Sequence, residues 1–451
     1  MRKNTGSVLT ATLIFILAFT LFGFSSIYLA TVQNEDAEKR TASTKAFWQA
    51  EAGIQSALWY YRRNLKPVGI NAECKDDFII CGEKTWAQTA DPFNFAVHMS
   101  NDNSLITSTG TSGSTQRTVQ LSLTSPFNYA LFARKGITLF NSTTIDSYNS
   151  DCGHWRDPIN LSKSACIDLE NHKVDCTDKS FQTTIKDKNQ SCHGNVGNNT
   201  SSNDDPPPNQ GDYIQILNFT TIHGDVSTGP GCQIIGKNSA NITGTISCDN
   251  NVELPPVIVP SNLKDLDEKK DCPDHSGNIN LQGSSLNINA GDYKCSLISL
   301  NYSLIDKTGS TLTVKGKVNI YLKGPLSVSS WPDVGAISKI DIAIGASLTI
   351  YTDGNVDVYN GSQINNLTQN PKNLILYGTS LSKRINISND GVFYGAIYAP
   401  DTAITVTNNG DIYGSFVGHE INMHNNGQFH YDEALGNPQD DKILIKSWSE
   451  L

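Results

Sequence analysis

The side chains with the widest chemical repertoire are ten cysteines: Cys74, Cys81, Cys152, Cys166, Cys176, Cys192, Cys232, Cys248, Cys272 and Cys295. Thiols can hold a metal, attack a substrate or pair with one another. Structural zinc sites use close ligand pairs of the Cys-x-x-Cys kind, and no two of these cysteines stand that close. An even set in the middle of a chain fits disulfides formed in an oxidising compartment. Cys74 with Cys81 and Cys232 with Cys248 are the simplest pairings, but spacing leaves the alternatives open.

Nine histidines are scattered through the chain. His154 and His193 fall among the cysteines, where a mixed Cys/His metal site is conceivable, although disulfides are the reading favoured here and no metal is expected. His419, Glu420, His424 and His430 fall in strand-like sequence near the C-terminus. The two-residue period there makes them surface or turn residues. Asp353-Gly354-Asn355-Val356-Asp357 alternates oxygen ligands as calcium loops do, but lacks the remaining ligands, and reads as a solvated turn. There is no phosphate-binding glycine loop, no G-x-S-x-G, no H-E-x-x-H and no dinucleotide fingerprint. The aspartates are dispersed and none can be nominated as half of a catalytic pair. No catalytic residue and no cofactor is expected. Only 17% of residues are charged and the net charge is −10, which argues against a nucleic-acid partner.

The elements that carry these residues begin with an apolar segment. Arg2 and Lys3 precede residues 8–32, which are uncharged and long enough to cross a bilayer that needs about 20 residues. Basic residues ahead of the span keep the N-terminus in the cytoplasm, so the rest of the chain lies outside it, in agreement with the cysteines. Signal-peptide cores are shorter, about 7–15 residues. Beyond the span Ala46, Ala50, Ile54, Ala57, Leu58 and Tyr61 recur on one helical face until Pro67 and Gly69 stop the pattern. Residues 1–66 therefore read as one transmembrane and amphipathic helix, a rod on the order of 85 Å.

At these residues the chain resembles a known family. Gly6, the apolar span and "KAFWQAEAGIQSAL" (residues 45–58), with Ala50-Glu51-Ala52-Gly53 as the distinctive part, are similar to the N-terminal region of PilX-type assembly proteins of type IV pili. Residues 106–124 resemble the stretch that follows the helix in that family. The resemblance implies cleavage after Gly6, a mature chain beginning at Ser7, and packing of the apolar helix among other pilin helices. Major pilins carry Glu at the position of Ala11, so the departure points to an accessory rather than a major subunit.

The body is β-rich. Residues 67–126 read as a small connector, with alternating strands near Phe95 and Val119 and turns at Gly110 and Gly113. Residues 127–435 read as a β-solenoid and residues 436–451 as a tail. Three copies of a strand, Asn-Asx-Gly turn, strand unit place Gly391, Gly410 and Gly427 roughly 18 residues apart, one coil each. Plain hairpins are the competing interpretation. The ending, from Phe393 to Leu435, resembles the domain found behind PilX-like N-termini and the bactofilin-like, polymer-forming solenoids. Residues 140–300, with eight of the cysteines, read as disulfide-pinned insertions. A short helix is expected from Ser261, with that serine as its cap.

The expected fold is mainly β, with one long N-terminal helix carrying a β-solenoid ectodomain. The function implied by the resemblance is that of a minor pilin-like subunit. It would lie in the inner membrane, or at the cell surface after assembly, with other pilin-like subunits and the membrane as partners and a surface or glycan ligand for the solenoid. An envelope-anchored solenoid unconnected to pili, and a polysaccharide-active enzyme on a β-helix, are the alternatives.

Overall fold

The structure, a computed structural model, describes residues 6–62, 84–88, 94–99, 105–140, 143–155, 189–201, 213–217, 220–231, 234–236, 241–359, 361–388, 391–407, 410–424, 427–436 and 444–450. The chain is mainly β with one long N-terminal helix. It divides into two units, Met1–Leu123 with Gln439–Leu451, and Thr124–Pro438.

In the first unit a single helix, α1 (Gly6–Arg62), runs unbroken for 57 residues. Four antiparallel strands follow, β1 (Lys84–Gln88), β2 (Phe95–Met99), β3 (Leu105–Ser112) and β4 (Thr115–Thr124). Strand β2 alternates buried and outward residues, so Phe95, Val97 and Met99 form one apolar face, and the last turns of α1 bury Ala50, Ile54, Ala57 and Leu58 with it. Gly113 closes the β3–β4 turn with φ +61°, a conformation that suits glycine. The strand Leu444–Glu450 adds to the outer edge of β4. Residues read as a C-terminal tail thus complete this sheet, and the second unit is an insertion between its last two strands.

The second unit is a three-sided solenoid in which the strands pair in parallel. Ser347–Thr352, Val356–Tyr359 and Gln363–Asn366 make one coil, stacked on the next through Leu374–Gly378 and Arg384–Ile387. Inward residues stack in columns. Leu326, Val356, Ile385, Ile404, Ile421, Ile137, Ile214 and Ile234 follow one another in strict register. Branched aliphatic side chains fill such a column because each rests on a like neighbour in the adjacent coil, and no coil can bury its face alone.

That column also shows that stacking order is not chain order. Ile421, near the end of the unit, pairs with Ile137, near its beginning. The chain joins the stack in its middle, winds to one end at residue 247, and crosses back outside the coils through residues 250–277. It then winds from residue 278 until Gln428–Asp432 meets Thr144–Tyr148. The crossing segment packs Leu254 and Leu263 on a column of outward tyrosines, Tyr321, Tyr351, Tyr377 and Tyr398. Tyr398 donates to the Pro255 carbonyl at 2.8 Å, and Arg134 binds both Asp401 (2.6 Å) and the Leu254 carbonyl (3.1 Å).

The glycine spacing has a different cause from a turn requirement. A Cβ on Gly410 would lie 2.6 Å from the Gly391 carbonyl oxygen, and one on Gly427 would lie 2.3 Å from that of Gly410. Backbone approach between coils requires these glycines; the turn residues themselves (389–390, 408–409, 425–426) lie outside the described residues. Two expectations are revised. Residues 140–300 are not only insertions, because Thr144–Tyr148, Val196–Asn198, Ile214–Ile216 and five further two-residue strands are rungs of the solenoid. The short helix is two separate turns, Ser261–Lys264 and Glu268–Asp271. Pro260 rather than Ser261 occupies the first cap, and Asp267 caps the second through the amides of Lys269 and Lys270.

Cys272, just past that second turn, is bonded to Cys295 at the end of the strand Ser285–Cys295, 23 residues on, with Cα atoms 5.0 Å apart. The bond pins the end of the crossing segment to the coil that begins the second winding, Ser285–Cys295. Replacing both cysteines with serine is expected to lower stability by about 3 kcal/mol, the loop-closure contribution for a loop of this size, read as a lower urea midpoint of the oxidised full-length protein.

Candidate functional site

Two regions concentrate what the chain could use to act: the helix α1 and the joint where the last coil in chain order stacks on the first. Along residues 12–31 of α1 the side chains are exposed all round. Leu13 is 67% exposed, Phe22 77% and Phe24 73%. The helix is long and apolar enough to cross a membrane. Four of its hydroxyls bond within the helix: Thr20 donates to the Ile16 carbonyl, Ser25 to Leu21, Ser26 to Phe22 and Thr31 to Ile27, at 2.8–3.0 Å. Such internal bonds let hydroxyls sit in lipid or against other apolar helices. Gly6 and Ser7 are the first two residues of α1, at the end of this surface.

The Ala50-Glu51-Ala52-Gly53 motif lies on the other half and acts as a packing device. A Cβ on Gly53 would lie 2.1 Å from Ser108 Oγ and 2.9 Å from the Phe95 ring. From the sheet side, a Cβ on Gly110 would lie 2.0 Å from the Ala46 carbonyl oxygen and 2.3 Å from the Ala50 nitrogen. Ala46 and Ala50 are fully buried. Small residues on both partners bring the helix backbone against β3. Glu51 and Ala52 flank the contact half-buried, and Glu51 Oε2 has no hydrogen-bond partner. The sequence singled out the motif but not Ser108, and it read Gly110 as a turn; Gly110 lies instead inside β3, where its missing side chain admits the α1 backbone, and the two residues are the motif's complement across the interface.

The joint in the solenoid is polar and buried. His430 Nδ1 and Asp146 Oδ1 lie 2.5 Å apart on paired strands, with side chains 0% and 2% exposed. Placing His430 at the surface is therefore corrected: its alternation is that of a strand, but the segment before residue 156 covers its outward face. Trp155 lies over the imidazole at 3.9 Å between centroids, and Tyr413, paired with His430 on the adjacent coil, lies 4.6 Å from it. Nearby, Ser147 donates to Glu433 at 2.7 Å, His193 lies 2.9 Å from the same carboxylate, and the Ser150 amide donates to Asp432 at 2.9 Å. His154 contacts the Tyr394 hydroxyl at 2.8 Å. His424 stacks on Phe140 at 4.1 Å, while His419 and Glu420 remain partly exposed. Burial pushes the Tyr148 hydroxyl well above its usual pKa.

Asp432 is the strained member of this group. Burial lifts its pKa to about 6, against the opposing pull of the Ser150 and Ala434 amides. A carboxyl raised in the folded state holds a proton that the unfolded chain, with an ordinary aspartate near 3.9, has released. Its contribution to stability is complete below pH 4 and is lost as pH rises through 6. Asp432→Asn is expected to flatten the fall in stability between pH 4 and 7 and to gain up to about 3 kcal/mol at pH 7, as checked by urea unfolding across that range.

The remaining candidates resolve into structure. Asp353 accepts from Tyr321 and Thr379, Asn355 from the amides of Lys383 and Arg384, and Asp357 from Arg384 and Asn386, so the calcium-like oxygens link one coil to the next. Cys152, Cys192 and Cys248 are disulfide-bonded, as are Cys272 and Cys295. Cys74, Cys81, Cys166, Cys176 and Cys232 lie outside the described residues. Among the described residues no group of three or more His, Cys, Asp and Glu side chains is placed to hold a metal.

Comparison with known proteins adds little detail. Residues 258–438 match a domain family of unknown function, DUF7305. No curated protein matches the chain. Among solved structures, the competence-associated pilin ComZ from Thermus thermophilus aligns over 91% of this chain and 98% of its own. At 12% identity and a TM-score of 0.24, the superposition is too loose to define a shared fold.

Proposed function

We infer that the chain is a pilin-like accessory subunit of a type IV pilus system, held in the inner membrane by α1 and presenting the solenoid outside the cytoplasm. The observation that carries this reading is the unbroken 57-residue helix, whose first half is uncovered and apolar and whose second half packs by small residues on an antiparallel sheet. An apolar rod of that kind leaves a membrane only when other rods cover it, because exposing it to water costs about 25 cal/mol per Å² of apolar surface. The PilX-like motif residues Ala50 and Gly53 make the helix–sheet contact, a packing role that suits an assembly subunit, and no catalytic role belongs to this reading. Ala11, in place of the glutamate of major pilins, fits a subunit used sparingly. Immunogold labelling of whole cells with antibody to the solenoid tests it. Label on surface fibres is expected. Label spread over the envelope, with fibres unlabelled, would favour an anchored solenoid independent of pili.

A further inference from the structure

The solenoid has three faces, and the outward residues of each differ in kind. One carries the tyrosine column that residues 250–277 cover. The second carries Tyr394, Tyr413, His430 and Asp146, in register and covered by Tyr148 and Trp155. On the third, the outward residues are Ser299, Ser327, Asp357, Asn386, Thr405, Asn422, Thr138 and Gln215, each paired with the next. All eight positions are polar; Ser299, Ser327, Asn386, Thr405 and Asn422 are partly exposed, while Asp357 and Thr138 are buried.

This face carries an ion pair within the strip and one further carboxylate, Glu420, outward beside Asn422. Asp357 is paired with Arg384 at 3.0 Å and bound by Asn386 at 2.8 Å. What remains is a strip of hydroxyl and amide groups, at one per coil. The strip is bordered, at the corner where these strands end, by exposed rings. Tyr302 and Trp331 lie 5.7 Å apart on successive coils, and Tyr359 stands on the coil after that. Trp331 is 38% exposed and Tyr359 37%. A solvated face explains the polar strip but not aromatic rings held uncovered beside it, since large apolar side chains in water mark contact sites.

We propose that this face binds a neutral linear polysaccharide laid along the solenoid axis. Coils recur about every 4.8 Å, close to the length of one pyranose unit in an extended chain, so successive sugars meet successive rungs. Amides and hydroxyls match the donors and acceptors of sugar hydroxyls, and the rings offer flat apolar surfaces to the C–H faces of pyranoses. A strip of neutral side chains whose single aspartate is paired suits an uncharged ligand better than an acidic or basic one. The proposal stands on the solenoid alone and does not depend on pilus membership.

The test uses the purified full-length protein in detergent against immobilised cello-, manno- and chito-oligosaccharides, with oligogalacturonate as the charged comparison. Binding to at least one neutral series is expected, tightening with chain length. Trp331→Ala should weaken it about tenfold, a change of about 1.4 kcal/mol. Tyr359→Phe should bind as the parent does, and Thr405→Lys, an outward change that leaves the core untouched, should abolish binding. Ile344→Ala, an exposed change outside this strip, should have no effect. No binding to any neutral series, stronger binding to oligogalacturonate, or equal losses in the Ile344 and Trp331 variants would overturn the proposal. Thr405→Lys keeps the test decisive if Trp331→Ala fails to fold.

Discussion

Asp146→Ala is expected to lower the stability of the solenoid by about 3 kcal/mol. Asp146 is the hydrogen-bond partner of His430 Nδ1 across the joint between the last coil and the first, and His430 Nε2 has no partner. Removing the carboxylate leaves both imidazole nitrogens buried and unbonded under Trp155. Asp146→Asn, which keeps an acceptor oxygen, should lose about 1 kcal/mol. The two variants separate loss of the carboxylate charge from loss of its hydrogen bond and volume together. Hydrogen exchange should localise the effect, with faster exchange in Thr144–Tyr148 and Gln428–Asp432 before the coils between residues 311 and 378 respond. Uniform exchange across the solenoid, or equal losses in the two variants, would mean that the pair does not hold the joint.

Gly110→Leu should have an effect as large on the other unit. Its Cβ would meet backbone atoms of Ala46 and Ala50, which cannot rotate away, so either the helix withdraws from β3 or β3 bends. Overpacking of this kind costs about 1–3 kcal/mol, and more where the obstacle is main chain. Limited proteolysis should then cleave near residues 46–58 of α1 while the solenoid stays resistant. The Gly53 equivalent meets the Ser108 hydroxyl and ring atoms, which can give, so Gly53→Ala should lose less than Gly110→Leu.

The sequence made some of this legible and hid the rest for physical reasons. Helix α1 announced itself because an uncharged span and a 3.6-residue apolar pattern add over many turns. The solenoid was readable from residue 311 onward, where strands are long enough to alternate. It was not readable around Val226–Ser227 or Ile246–Ser247, because two residues carry no period. The meeting of Ile421 with Ile137 could not be foreseen either, since local patterns fix faces and not stacking order. His430 was misplaced for the same reason: alternation says which way a side chain points, and a distant segment decided that the direction was inward to protein rather than outward to water. Leu444–Glu450 lay beyond reach because an edge strand needs only one partner and little hydrophobicity.

The central claim, that α1 is a processed pilin-type helix, is tested most directly by the mass of the native N-terminus. Intact-mass and peptide mass spectrometry would be applied separately to sheared surface fibres and to membranes. The account predicts chains beginning at Ser7 in the fibre fraction. Chains beginning at Met1 and confined to membranes would contradict it.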